Sequence, residues 1–142
     1  MFAAVERGGR VRAMPLERVT AATVGRAIHE NVHHMARIHT DEASHYKWLG
    51  RPWPGGHETV NHSAGEYARG NVTTNTVEGF FSLLKRGVYG TFHSVSKKHL
   101  HRYVGEFEFR YNHRKVDDGE RTLSAIRMSE GRRLRYSEQV GS

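Results

Sequence analysis

Two carboxylates, Asp41 and Glu78, have 36 residues between them, and Lys85 follows two helical turns beyond the second. These types in this pattern suit phosphoryl transfer. A hard cation such as Mg²⁺ takes a few carboxylate oxygens together with the substrate's own phosphates, so a two-metal site draws its acids from distant elements. Asp41 closes the short stretch Ala36-Arg37-Ile38-His39-Thr40, which reads as a strand and puts the carboxylate at its carboxyl end. Glu78 lies in the segment from Asn75 to Gly87, which reads as a helix. Val77, Phe81, Leu84 and Val88 recur at i, i+4, i+7 and i+11 as a stripe to bury, whereas Asn75, Glu78, Ser82 and Lys85 share a polar face. Acid and lysine therefore point the same way, and the two carboxyl groups are expected about 4–8 Å apart, near enough to share a metal pair. Each residue also has a plain role open to it. Asp41 can cap the turn Glu42-Ala43-Ser44. Glu78 can be a first-turn acid favoured by the helix dipole, with Thr74 or Asn75 as cap. Lys85 can be a solvated charge.

The elements that must position these groups follow from periodicity and turn chemistry. Phe2 to Arg7 and Arg10 to Met14 read as strands joined through Gly8-Gly9, a hairpin signature. Thr20 or a neighbour caps a helix reaching about Val32, with Val24, Ala27, Ile28 and Val32 on one face. A strand ending at Thr40 follows. Trp48 to Gly56, with Pro52, Pro54 and Gly55-Gly56, reads as a loop, and Glu58 to Asn61 as a last strand at the sheet edge. Helices are expected around Asn75 to Val88 and Lys97 to Asn112, and the tail from about Gly131 is expected to fray. In the second helix Tyr103, Phe107 and Tyr111 recur every four residues, which favours a core stripe over a base-stacking platform. Trp48 and Trp53 could pack locally or touch DNA. His99 and His101, two apart, do not share a helix face.

Longer motifs carry a family likeness. Asn61-His62-Ser63-Ala64-Gly65-Glu66-Tyr67, Thr74-Asn75-Thr76-Val77-Glu78-Gly79-Phe80-Phe81, His99-Leu100-His101-Arg102-Tyr103 and Glu106-Phe107-Glu108-Phe109-Arg110-Tyr111-Asn112 resemble the catalytic domain of ISXO-like insertion-sequence transposases. The resemblance runs from Val5 to Thr122. It implies a DDE enzyme with an α/β, ribonuclease-H-like mixed sheet flanked by helices, acting on DNA with Mg²⁺ or Mn²⁺, with copies assembling in a transposition complex. It places the family's second aspartate at Asp41, its glutamate at Glu78 and its basic residue at Lys85. Asp41 and Glu78 would hold metal, and Lys85 would hold a DNA phosphate. The first aspartate has no counterpart: Glu6, Glu17 and Glu30 are the only acids before Asp41, and Glu6 falls one strand too late. The expectation is a sheet truncated at its amino-terminal strand and a chain inactive on its own. The family's amino-terminal zinc-binding and helix-turn-helix region is likewise not among these residues. The expected organisation is an incomplete catalytic domain over 1–130 and a tail over 131–142.

Composition agrees with a nucleic-acid partner. The chain has 142 residues, a net charge of +7 and a pI near 10.0, and residues 79–142 carry thirteen Lys and Arg against seven Asp and Glu. Lys85, Arg86, Lys97, Lys98 and Arg102 are the candidate DNA-binding residues. Without cysteine there is no disulfide framework or thiolate metal site. No signal peptide or long apolar span is present, which makes cytoplasmic the default expectation and a membrane role unexpected.

Two other functions stay in view. A module that keeps the basic helices without chemistry would bind DNA non-specifically. His29-Glu30-Asn31-Val32-His33 matches the zinc-protease pattern, with His39 six beyond His33 where a longer form has a third ligand. That form needs a glycine three residues after the second histidine, and Ala36 stands there. The three histidines are not expected to converge.

Overall fold

The computed structural model describes residues 1–50, 53–61, 68–69 and 72–133, which divide into two compact units, Met1–Asn112 and His113–Ser142. The first begins with β1 (Phe2–Val5) and β2 (Val11–Met14), an antiparallel hairpin with Phe2 opposite Met14 and Val5 opposite Val11. The expected turn is there. Gly8 takes φ +69°, a conformation that L side chains rarely adopt, and the Glu6 N–H closes the loop on the Arg10 carbonyl at 2.8 Å.

Both faces of this hairpin are covered, which explains why Met1–Val5 has no polar alternation. Phe2, Ala4 and Met14 turn toward helix α1 (Ala21–Asn31), joining Val24, Ala27 and Ile28 in one core cluster. Met1, Ala3, Val5, Val11 and Ala13 turn the other way, toward α2 (Asn75–Gly87) and α3 (Leu100–Asn112), joining Phe80, Leu84, Val104 and Phe107. Thr20 caps α1 as expected: its hydroxyl accepts from the Thr23 N–H at 3.2 Å while its own N–H donates to the Thr23 hydroxyl at 3.0 Å.

The second sheet pairs β3 (Ile38–Asp41) with β4 (His57–Val60) in parallel, Asp41 opposite Val60. A third pairs β5 (Ala68–Arg69) with β6 (Val72–Thr73) antiparallel, so β4 is not the last strand. The strands therefore form three two-stranded sheets among the described residues. The Trp48–Gly56 loop also needs correction. Its start belongs to a 3-10 helix, Ser44–Gly50, which buries Leu49 and lays Trp48 against Gly25 of α1. Trp53 is buried too, donating from Nε1 to the Ala36 carbonyl at 2.7 Å, so both tryptophans pack locally.

Helix α2 is rotated relative to the expected stripe. Phe80 is fully buried and Leu84 nearly so, whereas Val77 and Phe81 are only half-buried and line a cavity. The rotation follows from α3: Phe80 meets the Tyr111 ring edge-on at 5.6 Å, and Phe92, in a π-helical turn over Val88–Phe92, meets Tyr103 at 4.7 Å and Phe107 at 6.4 Å. The aromatic stripe of α3 is core, as its spacing implied. The second unit holds α4 (Asp118–Ser129), not foreseen, with Asp117 as N-cap accepting from the Glu120 N–H at 3.0 Å. The expected frayed tail lies mostly outside the described residues, at 134–142.

Two glycines of α2 separate packing from helix propensity. A Cβ on Gly87 would overlap the Phe107 ring, whereas one on Gly79 meets nothing within 4 Å. Gly87→Ala should lower the unfolding free energy by about 1–3 kcal/mol through overpacking. Gly79→Ala should raise it by about 0.5–1 kcal/mol through the helix propensity of alanine over glycine. Urea denaturation of the two variants checks both signs.

Candidate functional site

Asp41 ends β3 opposite fully buried Val60, so the strand is anchored by core while its last side chain stays exposed. Its Oδ1 accepts the Ala43 N–H at 3.1 Å, the capping role open to it from the sequence. Tyr46, on the 3-10 helix, has its phenol pushed above the usual value by burial first and by the Asp41 charge second. Glu78 stands in the first turn of α2, exposed, and its Oε1 accepts from the buried Thr74 hydroxyl at 2.5 Å. Thr74 thus serves Glu78 through its side chain and begins the helix through its carbonyl, which accepts the Glu78 N–H at 3.1 Å. Two residues on, buried Phe80 sets the helix rotation, which leaves Asn75, Glu78, Ser82 and Lys85 all exposed.

Both carboxylates line one cavity of about 1220 Å³, together with Arg7, Arg37, His39 and Glu58. Two carboxylates are few for a metal pair, which needs several ligands per ion. Among the described residues no three His, Asp or Glu side chains group closely enough to hold a metal. The described side chains therefore do not by themselves complete the expected Mg²⁺ or Mn²⁺ site.

Lys85 sits two turns beyond Glu78, about 10 Å along the axis. With Arg86 it fills the last turn of α2, where cations meet the negative end of the helix dipole. Lys97 and Lys98 occupy a 3-10 turn, Lys97–His99, and Arg102 lies in the first turn of α3. All five are exposed. His101 in the same stretch bonds through Nδ1 to the Lys98 carbonyl at 3.1 Å.

The histidines of the zinc-protease pattern are placed apart by helix length. α1 ends at Asn31, and Val32 is already extended at φ −119°, ψ 128°, so His33 lies beyond the helix that would have put it on one face with His29. His29 stacks on Trp48 at 5.7 Å and lies 5.4 Å from Trp53, whereas His33 stacks on His34 at 4.5 Å. His39 is a strand residue.

Sequence reasoning assigned His39 no role at the cavity, yet its surroundings alter its titration. Burial first, then the Arg7 guanidinium, hold its imidazole below the ordinary value of 6.5; Glu58 opposes this and Arg37 adds to it. Arg7 donates to Nδ1 at 3.3 Å, which assigns the proton to Nε2, 3.4 Å from Glu58 Oε2 and without a hydrogen bond. His57, on the neighbouring strand, is also held low, by burial and then by His39, and its Nε2 lies 2.9 Å from the Thr40 hydroxyl. The parallel register puts His57 on the face of Ile38 and Thr40 and His39 on the opposite face with Glu58. The available signal was the strand period, which put His39 on the Asp41 face.

A family model described as the ISXO2-like transposase domain matches residues 1–112, the same span as the first compact unit. No curated protein and no solved structure matches the chain. No helix among the described residues is long and apolar enough to cross a membrane.

The lowered pKa values of His39 and His57 make stability depend on pH. With folded values below 6.5, the unfolded chain binds more protons between those values and 6.5, so stability rises with pH there. It should be full above pH 6.5 and fall as the pH drops below it. Thermal melts from pH 7.5 to 5 should show this decline, and His39→Gln should flatten it.

Proposed function

The chain belongs to the ISXO2-like transposase domain family, and we propose that it is the part of an insertion-sequence transposase that engages DNA through the exposed cations at the junction of α2 and α3. The observation that carries this is the placement of Lys85, Arg86, Lys97, Lys98 and Arg102: all exposed, all on consecutive elements, none spent in the core. Such cations neutralise phosphates and release counterions, and the affinity they provide does not depend on base sequence.

The family's DDE chemistry, breaking and rejoining phosphodiester bonds, falls by resemblance to Asp41 and Glu78, with Lys85 holding a phosphate. Support for this assignment is that the two carboxylates open on one cavity from a strand end and a helix start. Their number argues that a third acid is needed before metal can be held and DNA cut. In this proposal residues 1–142 alone bind DNA and leave it intact. The hairpin and the parallel pair are compatible with a ribonuclease-H-like mixed sheet.

Fluorescence anisotropy on duplex DNA of unrelated sequences tests the proposal. Binding should be weak, alike for all sequences, and steeply weakened by salt. Lys85→Ala should reduce the slope of log affinity against log salt by roughly 0.9, the share of one phosphate contact. Asp41→Ala should not weaken binding, since removing an acid near phosphates relieves repulsion. A salt-independent or sequence-selective affinity would refute the proposed interface. Supercoiled plasmid with Mg²⁺ or Mn²⁺ should remain at background nicking; nicking that vanishes in Glu78→Gln would show that two acids suffice.

A further inference from the structure

The exposed face of α2 continues past the end of the helix. Glu78, Ser82, Lys85 and Tyr89 recur at i, i+4, i+7 and i+11, the spacing of one helical face, and Val88 just before the tyrosine still has helical φ −62° and ψ −50°. Tyr89 is 74% exposed. It adds an aromatic ring to the row that carries Lys85, with Arg86 three residues before it. A single exposed tyrosine is ordinary on a protein surface. Tyr89 differs in how its backbone is held and in what stands around it.

The π-helical turn Val88–Phe92 is anchored at both ends. Val88 and Phe92 pack against the core, Phe92 meeting Tyr103 and Phe107 edge-on, whereas the residues between them, Tyr89, Gly90 and Thr91, are exposed. Such turns are rare and occur frequently at functional sites. The residue that follows is strained. His93 takes φ 57° with ψ −39°, outside the left-handed helical region, and the Ser94 N–H donates across it to the Phe92 carbonyl at 2.6 Å. This is the rarer, strained γ-turn, a conformation that persists only where the surrounding structure enforces it and that clusters at sites of function. A Cβ on Gly90 meets nothing within 4 Å, so no protein atom crowds the position next to the tyrosine in the chain.

We propose that Tyr89 is a stacking platform for an unpaired DNA base, and that the chain binds DNA carrying such a base more tightly than fully paired duplex. The inference rests on the DNA-binding reading above and names the form of DNA. Every base has a π-face, but in a duplex both faces are covered by neighbouring pairs, so only an extruded, frayed or single-stranded base can receive a side-chain ring. The cations supply the other half of the contact. Lys85 and Tyr89 are four residues, about 6 Å, apart along the axis, which matches about two nucleotide steps along a strand. Arg86 precedes the turn and Lys97 and Lys98 follow it, all exposed, so phosphates on either side of the stacked base have partners. Tyr103 and Phe107 are taken up by Phe92, which leaves Tyr89 as the exposed ring of this junction among the described residues.

The test is fluorescence anisotropy of the 142-residue chain on two labelled DNAs, a duplex and the same duplex with one extrahelical base. The extrahelical base should tighten binding at least about fivefold. Tyr89→Ala should bring the two affinities together, whereas Tyr89→Phe and Tyr89→Trp should keep the gap, since the ring and not the hydroxyl carries it. The salt slope should be the same in all of them, because stacking releases no counterions. A fluorescent base analogue at the extrahelical position, bright when unstacked, should lose emission on binding the unaltered chain and keep it on binding Tyr89→Ala. Equal affinity for the two DNAs, a gap that survives Tyr89→Ala, or a gap lost in Tyr89→Phe would overturn the platform while salt-dependent duplex binding, and with it the proposed interface, stands. Failure of both DNAs to bind in a salt-dependent way would refute the interface and the platform together.

Discussion

Burial of the β1–β2 hairpin on both faces is the constraint from which the rest of the first unit takes its position. A two-stranded ribbon is marginal in water by itself. Here α1 covers one face through Phe2 and Met14, and α2 with α3 covers the other through Val11 and Ala13. The outer edge is locked from α3, where Glu108 and Asn112, one helical turn apart, reach the backbone of Ala13 and Val11. A net hydrogen bond contributes about 0.5–1.5 kcal/mol, and more where an acceptor is charged, so these contacts weigh less than the apolar burial. Their larger effect is on register, because a slip of one residue would exchange the two faces of the hairpin.

The candidate site inherits its geometry from that core. Phe80 is fixed against Tyr111, and this rotation, more than any interaction of Glu78 itself, turns Glu78, Ser82 and Lys85 outward. Gly87 permits the close approach of α3 that brings Phe107 beneath the end of α2. The cations on the connecting segment are thus displayed by a packed aromatic cluster of Phe92, Tyr103 and Phe107. Asp41 depends on the other sheet, where Val60 anchors its strand pair.

Local signals in the sequence were strong where chemistry and period agreed. Gly8-Gly9 between apolar runs marked the hairpin, Thr20 marked the start of α1, and the four-residue recurrence of Tyr103, Phe107 and Tyr111 marked a core helix face, because each depends on neighbours within a few residues. Asp41 at a strand end and Glu78 on the polar face of a helix were legible for the same reason, and the longer motifs carried the family. The Asp117 cap and the spacing of Leu123 and Ile126 are likewise local signals for α4. What the tertiary structure alone decided depends on contacts between distant segments. Phe80 rather than Phe81 entered the core because Tyr111 of α3 received it. Trp48 and Trp53 became packing residues because α1 and the Ala36 carbonyl lay beside them. His39 has its pKa lowered first by burial and then by Arg7, which reaches it from 32 residues away. Strand pairing belongs to the same class, since hydropathy records which way a side chain points but carries no record of which strand will lie alongside.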